Sequence, residues 1–213
     1  NEFILCLGYK AHMIKEYFLN YYLHNSDVTI ELEKNKVDVH FSNTESFKVT
    51  LVDTGLMTNT AGRIKRIKKY VQGEAFMLTY GDGVADINIR SLVDFHKAHG
   101  KLATLTSIQV PGRFGNIEMD ENGKVDHFIE KPQGDGVWIN GGFFVLEPGI
   151  FDYLEENMDD VQWEKKPLKE IAEAGQLVAY KHHGFWKCMD ALRDRMELEQ
   201  LWSSDNAKWK NWK

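Results

Sequence analysis

Apolar and polar positions along the 213-residue chain follow two periods, and these mark out its elements. Phe3-Ile4-Leu5-Cys6-Leu7 is a short apolar run and predicts a strand. Ile14, Tyr17, Phe18 and Tyr21 recur at helical spacing and predict a helix over residues 10–23. Residues 28–32 and 36–41 predict two short strands about a polar turn, and residues 49–53 another strand. Ile64, Ile67 and Val71 line one side of a basic helix predicted over residues 60–71. Phe76-Met77-Leu78-Thr79-Tyr80 reads as a strand buried on both faces, stopping abruptly at Gly81-Asp82-Gly83. A helix over residues 89–99 is closed by Gly100, and a β-branched strand follows over residues 102–110.

That first half has a β-α-β rhythm, which predicts a mostly parallel sheet with right-handed crossovers. The second half is less regular. Residues 116–119 and 125–129 flank Asp120-Glu121-Asn122-Gly123, a hairpin signal. Further strands are predicted over residues 137–146 and 177–181, and helices over 148–156, 163–174 and 191–202. Residues 203–213 carry Trp209 and Trp212 among Lys and Asn and resemble a docking tail. No repeat, low-complexity segment or Pro/Gly/Ser linker interrupts the chain, so residues 1–213 are expected to form one α/β domain.

Composition narrows the function. Hydrophobic types make up 43% of the chain, enough for a sizeable core. The net charge is −6 and no basic run extends beyond residues 63–69, which argues against a nucleic-acid polymer as partner. No stretch approaches the roughly 20 apolar residues of a membrane span. Cys6 and Cys188 lie outside any CxxC motif, and two reduced thiols in a cytoplasmic protein are the simplest reading.

Four places carry candidate chemistry. Asp82 ends a strand between two glycines, where ligands of open α/β sheets bind; the carboxylate suits a hard cation carrying phosphates. An Asp-Gly turn is the plain alternative. The helix start Thr60-Ala61-Gly62-Arg63 offers free amides, and Arg63 a bidentate phosphate contact, against a simple capped surface helix. Arg113-Phe114-Gly115, Glu130-Lys131-Pro132 and Asn140-Gly141-Gly142 place polar groups beside permissive backbone, as sugar hydroxyls require. Lys131 adds a point charge for a phosphate. Gly184-Phe185-Trp186 leads to Asp190, either a second metal carboxylate or the N-cap of the next helix. His182 and His183 point to opposite faces of a strand and make a poor shared metal site. No Ser-His-Asp set, P-loop or zinc spacing is present, so phosphoryl or nucleotidyl transfer suits what remains.

In the order Gly62-Arg63, Tyr80-Gly81-Asp82-Gly83-Val84-Ala85-Asp86, Arg113-Phe114-Gly115, Glu130-Lys131-Pro132, Asn140-Gly141-Gly142 and Gly184-Phe185-Trp186 to Asp190, the chain resembles the sugar-phosphate nucleotidylyltransferases. The Tyr-Gly-Asp-Gly-Val-Ala-Asp and Gly-Phe-Trp…Met-Asp strings favour the cytidylyl branch that makes CDP-glucose. The resemblance implies a Rossmann-like nucleotide-diphospho-sugar transferase fold: a mixed, mostly parallel sheet flanked by helices, with a small antiparallel element. It implies Mg²⁺ on Asp82 and Asp190, CTP contacts from Gly62, Arg63, Tyr80 and Gly81, and glucose 1-phosphate contacts from Gly115, Glu130, Lys131, Asn140 and Trp186. Asp82, Lys131 and Asp190 would be the catalytic set. UTP or dTTP as the nucleotide, or a non-catalytic nucleotide-sugar-binding protein, are the alternatives. The family's glycine-rich phosphate loop lies before the strand where this sequence begins, so a preceding segment is expected. The resemblance also implies a homo-oligomer whose product serves bacterial surface polysaccharides such as O-antigen.

Overall fold

The computed structural model describes residues 1–71, 73–110, 116–129 and 137–211. The chain packs as two compact units, one of residues 1–73 and 151–169, the other of residues 74–150 and 170–213.

In the first unit, β1 (Glu2–Leu7) and β4 (Lys48–Asp53) pair in parallel with Leu5 opposite Leu51. Between them run α1 (Ala11–His24) and the hairpin of β2 (Ser26–Glu31) and β3 (Lys36–Ser42). No residue of α1 is buried, and Tyr17, Leu19, Ile30 and Phe41 are exposed. α2 (Thr60–Arg66) buries Ala61, Gly62 and Ile64. The helix predicted over residues 60–71 is therefore shorter than its periodicity suggests. The Ile67 N–H is shared between the Arg63 and Ile64 carbonyls, and Tyr70 N–H donates to Ile67 at 2.8 Å, so the chain tightens into a 3₁₀ turn. Fully buried Trp163 anchors the segment beside α2: its backbone N–H donates to the Thr60 hydroxyl at 2.7 Å.

The second unit is built from β5 (Phe76–Thr79), β6 (Gly83–Ala85), α3 (Ile89–His99), β7 (Ala103–Ile108), β8 (Asn116–Met119), β9 (Val125–Ile129) and β10 (Ile139–Leu146). After α4 (Lys166–Glu173) come β11 (Leu177–Lys181), β12 (Trp186–Cys188) and α5 (Leu192–Ser203). Four strands form a sheet in the order β11-β7-β10-β5. β11 and β7 are parallel, while β10 runs antiparallel to both neighbours, so β5, β7 and β11 point the same way. The sheet is thus mixed, and the Asn-Gly-Asp-rich turn closes the β8–β9 hairpin as its residues dictate, with Gly123 at φ 81°.

Two expectations change. β5 alternates between half-buried Phe76 and Leu78 and exposed Met77 and Thr79, so one of its faces is covered and the other is not. The doubly buried strand is β7, where Ala103, Thr104 and Thr106 are fully enclosed. The segment 148–156 is a 3₁₀ stretch over Pro148–Tyr153. Gly149 weakens an α-helix there, and its bare Cα lets Leu102 pack close: a Cβ would lie 2.7 Å from that side chain.

α3 packs on the sheet through Leu92, which meets Ile87 and Val145. Asn88 caps it by accepting the Ser91 N–H at 3.0 Å, and Gly100 ends it at φ 63°. Beneath it lies a polar chain. Lys101 N–H donates to His99 Nδ1 at 3.0 Å, which leaves His99 Nε2 as donor to the Thr104 hydroxyl at 2.7 Å. The hydroxyl then donates to His96 Nδ1 at 2.8 Å, and His96 Nε2 to the Glu147 carboxylate at 3.2 Å. With both rings neutral, each atom of this relay has the partner it needs. Burial, then the nearby His96 and Lys101, push the His99 pKa below its usual 6.5. The folded state therefore binds fewer protons than the unfolded state just below that pH, and stability falls as pH drops through about 6.5. Thr104→Val removes the shared hydroxyl and strands a buried His96 ring nitrogen and a half-buried His99 one, which should cost about 1–3 kcal/mol in urea unfolding. Because burial and the neighbouring groups, not this hydroxyl, lower the His99 pKa, the variant should keep the wild type's loss of stability between about pH 7 and 5.5, measured by the same unfolding curves.

Candidate active site

A short antiparallel ribbon carries both candidate carboxylates. Trp186, Lys187 and Cys188 of β12 lie opposite Ala85, Val84 and Gly83 of β6. The pairing continues one step past each strand: Met189 N–H donates to the Asp82 carbonyl at 2.7 Å. Asp82 and Asp190 therefore emerge at the same end of one ribbon, although 108 positions apart in sequence. Both are exposed.

Asp190 is not the helix cap. α5 begins after Ala191, whose N–H is taken by Asp194 Oδ2 at 3.0 Å. The acidic residue inside the first turn has replaced the one before it, and the Asp190 carboxylate is left outside the helix. Its one described partner is the Cys188 thiol, at 3.1 Å. Burial, then the hydrogen bond to Asp190 and its charge, push the Cys188 pKa up. The thiol stays protonated and donates.

Gly81 and Gly83 both have ordinary backbone angles, and a Cβ on either would meet nothing within 4 Å. Packing among the described residues therefore does not require glycine on either side of Asp82. The Asn-Gly-Gly segment behaves oppositely. β10 bulges between Asn140 and Phe144. Asn140 Oδ1 accepts the Gly142 N–H at 2.8 Å, and its Nδ2 donates to the Tyr80 hydroxyl at 3.4 Å. Gly142 sits at φ 79°, and a Cβ there would lie 2.7 Å from the Tyr80 ring. Trp186 Nε1–H donates to the Gly141 carbonyl at 2.7 Å. Tyr80, Asn140 and Trp186 are thus gathered beside the ribbon. Lys187 ties its other side to α5, at 2.5 Å from Glu197 and 3.7 Å from Asp194.

The remaining predicted residues divide in two. Gly62 and Arg63 belong to the first unit. Arg63 Nη1 donates to the Thr54 hydroxyl at 2.6 Å and the Leu7 carbonyl at 3.1 Å, beyond the ends of β4 and β1. Gly62 lets backbone come close: a Cβ there would lie 2.9 Å from the Met158 carbonyl. Ala61 N–H, one of the first-turn amides expected to face an anion, donates to the Val161 carbonyl at 3.1 Å. Gly115, Glu130 and Lys131, with Arg113 and Trp212, lie outside the described residues.

Magnesium tends to keep several waters and to be held through one or two carboxylates plus substrate phosphates. Two exposed carboxylates on one ribbon end fit that habit. Among the described residues no group of three or more His, Cys, Asp and Glu gathers as an all-protein metal cage would need. The sequence reading missed the ribbon itself, because three-residue strands are too short for a periodicity to register. It also missed the role of His182, described below. The one signal available was Gly184 ahead of Phe185-Trp186, a permissive residue before an aromatic pair.

An α/β unit with two exposed carboxylates at one ribbon end, next to a bulged Asn-Gly-Gly segment, fits an enzyme of nucleotide-sugar chemistry. The chain belongs to the nucleotidyl transferase family, whose profile matches residues 2–198. Within it, the chain is 52% identical over 212 residues to glucose-1-phosphate cytidylyltransferase of Salmonella typhi, covering 99% of this chain and 81% of that protein. It is 42% identical to a probable glucose-1-phosphate cytidylyltransferase of Bacillus subtilis, covering 100% and 82%. Among solved structures, HddC from Yersinia pseudotuberculosis shares the fold, with a TM-score of 0.64 at 19% identity over 94% of this chain and 78% of its own. No described helix is long and apolar enough to cross a membrane.

The contrast between the glycines is measurable. Gly142→Ala should destabilise the protein by about 1–3 kcal/mol in urea unfolding, through its positive φ and the Tyr80 ring. Gly81→Ala should stay within about 0.5 kcal/mol of wild type in the same measurement.

Proposed function

We propose that this chain catalyses CTP + α-D-glucose 1-phosphate → CDP-glucose + pyrophosphate. The observation that carries the reading is that Asp82 and Asp190 leave the same end of the β6–β12 ribbon. Support also comes from the likeness to relatives named for that activity.

The reaction asks little covalent work of a protein. An oxygen of the sugar phosphate attacks the α-phosphorus of CTP in line, and the bond to pyrophosphate breaks. A phosphate monoester is already largely dianionic near neutrality, since its second pKa is about 6. The nucleophile needs no general base, which agrees with the lack of a nucleophile-base pair in the sequence. What must be overcome is repulsion between two polyanions. Bound between Asp82 and Asp190, Mg²⁺ would supply charge neutralisation at the nucleotide phosphates.

The chain's own groups do the rest by position. Lys131 would hold and orient the sugar phosphate, with Glu130, Gly115 and Asn140 directed at sugar hydroxyls. Asn140 has an amide hydrogen left after its bond to Tyr80. The Trp186 N–H is engaged by Gly141, so that residue would contribute its ring face rather than a hydrogen bond. Gly62, Arg63, Tyr80 and Gly81 are assigned to the nucleotide. Most of the acceleration then comes from orientation and preorganised charge.

A panel of CTP, UTP, dTTP and GTP with glucose 1-phosphate tests the reading in the full-length protein, with pyrophosphate release as the readout. CTP should give kcat/KM at least about 100-fold above the others. Equal turnover with UTP or dTTP would overturn the cytidylyl assignment, and no turnover with any nucleotide would overturn catalysis. Asp82→Asn should lower kcat by roughly 100-fold or more with folding intact by circular dichroism; near wild-type turnover sinks the metal role.

A further inference from the structure

One imidazole ties the β6–β12 ribbon to the central sheet at the end away from Asp82, apart from the Trp186 bond to Gly141 of β10. His182 directly follows β11, and its backbone N–H continues the sheet by donating to the Ser107 carbonyl of β7 at 2.9 Å. Its side chain, 10% exposed, turns the other way and reaches the ribbon. There Nε2 lies 3.2 Å from the Phe185 carbonyl and 3.0 Å from Asp86 Oδ1. Both neighbours are acceptors, so Nε2 carries the hydrogen and this tautomer is fixed by its surroundings. The Phe185 carbonyl also receives the Asp86 N–H at 3.1 Å, which closes the ribbon at the end away from Asp82.

Two observations mark this contact as more than packing. Asp86 Oδ1 is buried, yet no well-aligned hydrogen bond reaches it among the described residues; the imidazole N–H is directed at Phe185 instead. A buried carboxylate oxygen held this way calls for a functional explanation. The backbone is also shaped around it: a Cβ on Gly184 would overlap Asp86 Oδ1 and lie 2.7 Å from the His182 ring. Asp86 and His182 touch neither of the two carboxylates proposed to hold metal.

We propose that His182 and Asp86 are positioning residues: the pair locks the ribbon's far end to the sheet and so fixes where Asp82 and Asp190 stand at the near end. The ribbon is only three paired residues long on each strand, so its own ladder constrains the angle weakly. A small tilt at the carboxylates disturbs a geometry that transition-state binding requires. Ground-state sugar binding, made by other residues, depends on it less. This part rests on the proposed cytidylyl transfer; the ribbon anchoring itself does not.

Amide hydrogen exchange and kinetics on His182→Ala, His182→Gln and Asp86→Asn test the pair. In His182→Ala the Met189 and Asp86 amides should exchange at least about tenfold faster than in wild type, while the β7 amides keep their protection. His182→Gln retains a donor at the same reach and should restore slow exchange. With CTP and Mg²⁺, His182→Ala should lose about tenfold or more in kcat and raise the Mg²⁺ concentration for half-maximal activity, with KM for glucose 1-phosphate within about twofold. Asp86→Asn should fall between wild type and His182→Ala in both measurements. Unchanged ribbon exchange, or acceleration spread equally over the sheet, overturns the proposal. So does a wild-type Mg²⁺ requirement in a variant with a loosened ribbon. Absence of turnover in the wild type would instead defeat the functional reading, and the exchange data would still decide the anchoring.

Discussion

The hydrogen bond from Met189 N–H to the Asp82 carbonyl is the contact on which the candidate site depends. It extends a three-residue ribbon by one step and brings two carboxylates from distant parts of the chain to the same end of it. Exposed carboxylates repel one another, so nothing in their own chemistry would bring them together. Backbone pairing does it, and neighbouring side chains aim it. Trp186 holds the ribbon to the β10 bulge, Lys187 holds it to α5, and His182 holds it to β11.

The polar groups around the ribbon divide by what they bond to. Asn140 Oδ1, the Trp186 N–H and the Gly142 N–H are satisfied within the protein. Asp82 stands exposed. A buried group left without a partner is costly, whereas an exposed carboxylate is solvated until a cation displaces its water. This division gives a rigid frame around an accessible pair, as a reaction governed by orientation and charge requires.

Much of the fold was legible in the sequence. Helical spacing located α1, α3 and α5, Gly100 located the end of α3, and the Asp-Glu-Asn-Gly turn located the β8–β9 hairpin. The failures have physical causes. β5 reads as doubly buried because its residues are apolar, but only one of its faces is covered, and which elements cover a face is not a local property. The alternative reading of Asp190 as an N-cap fails because Asp194 satisfies the Ala191 amide from inside the helix. The relay from His99 through Thr104 and His96 to Glu147 spans strand, helix and loop, and no spacing rule announces it.

By itself the sequence determined which residues carry charge and where the chain must bend. It supplied Asp82 between two permissive glycines, Asp190 after an aromatic pair, and the order of motifs that marks the family. Those are properties of residue type and near neighbours, which local rules capture. Only the tertiary structure decided that the two aspartates share one ribbon end, that Gly142 is needed for the Tyr80 ring while Gly81 is not, and that His182 faces Asp86. Each of these turns on which backbone segments lie against one another, and that is set by the burial of the whole unit rather than by any stretch of it.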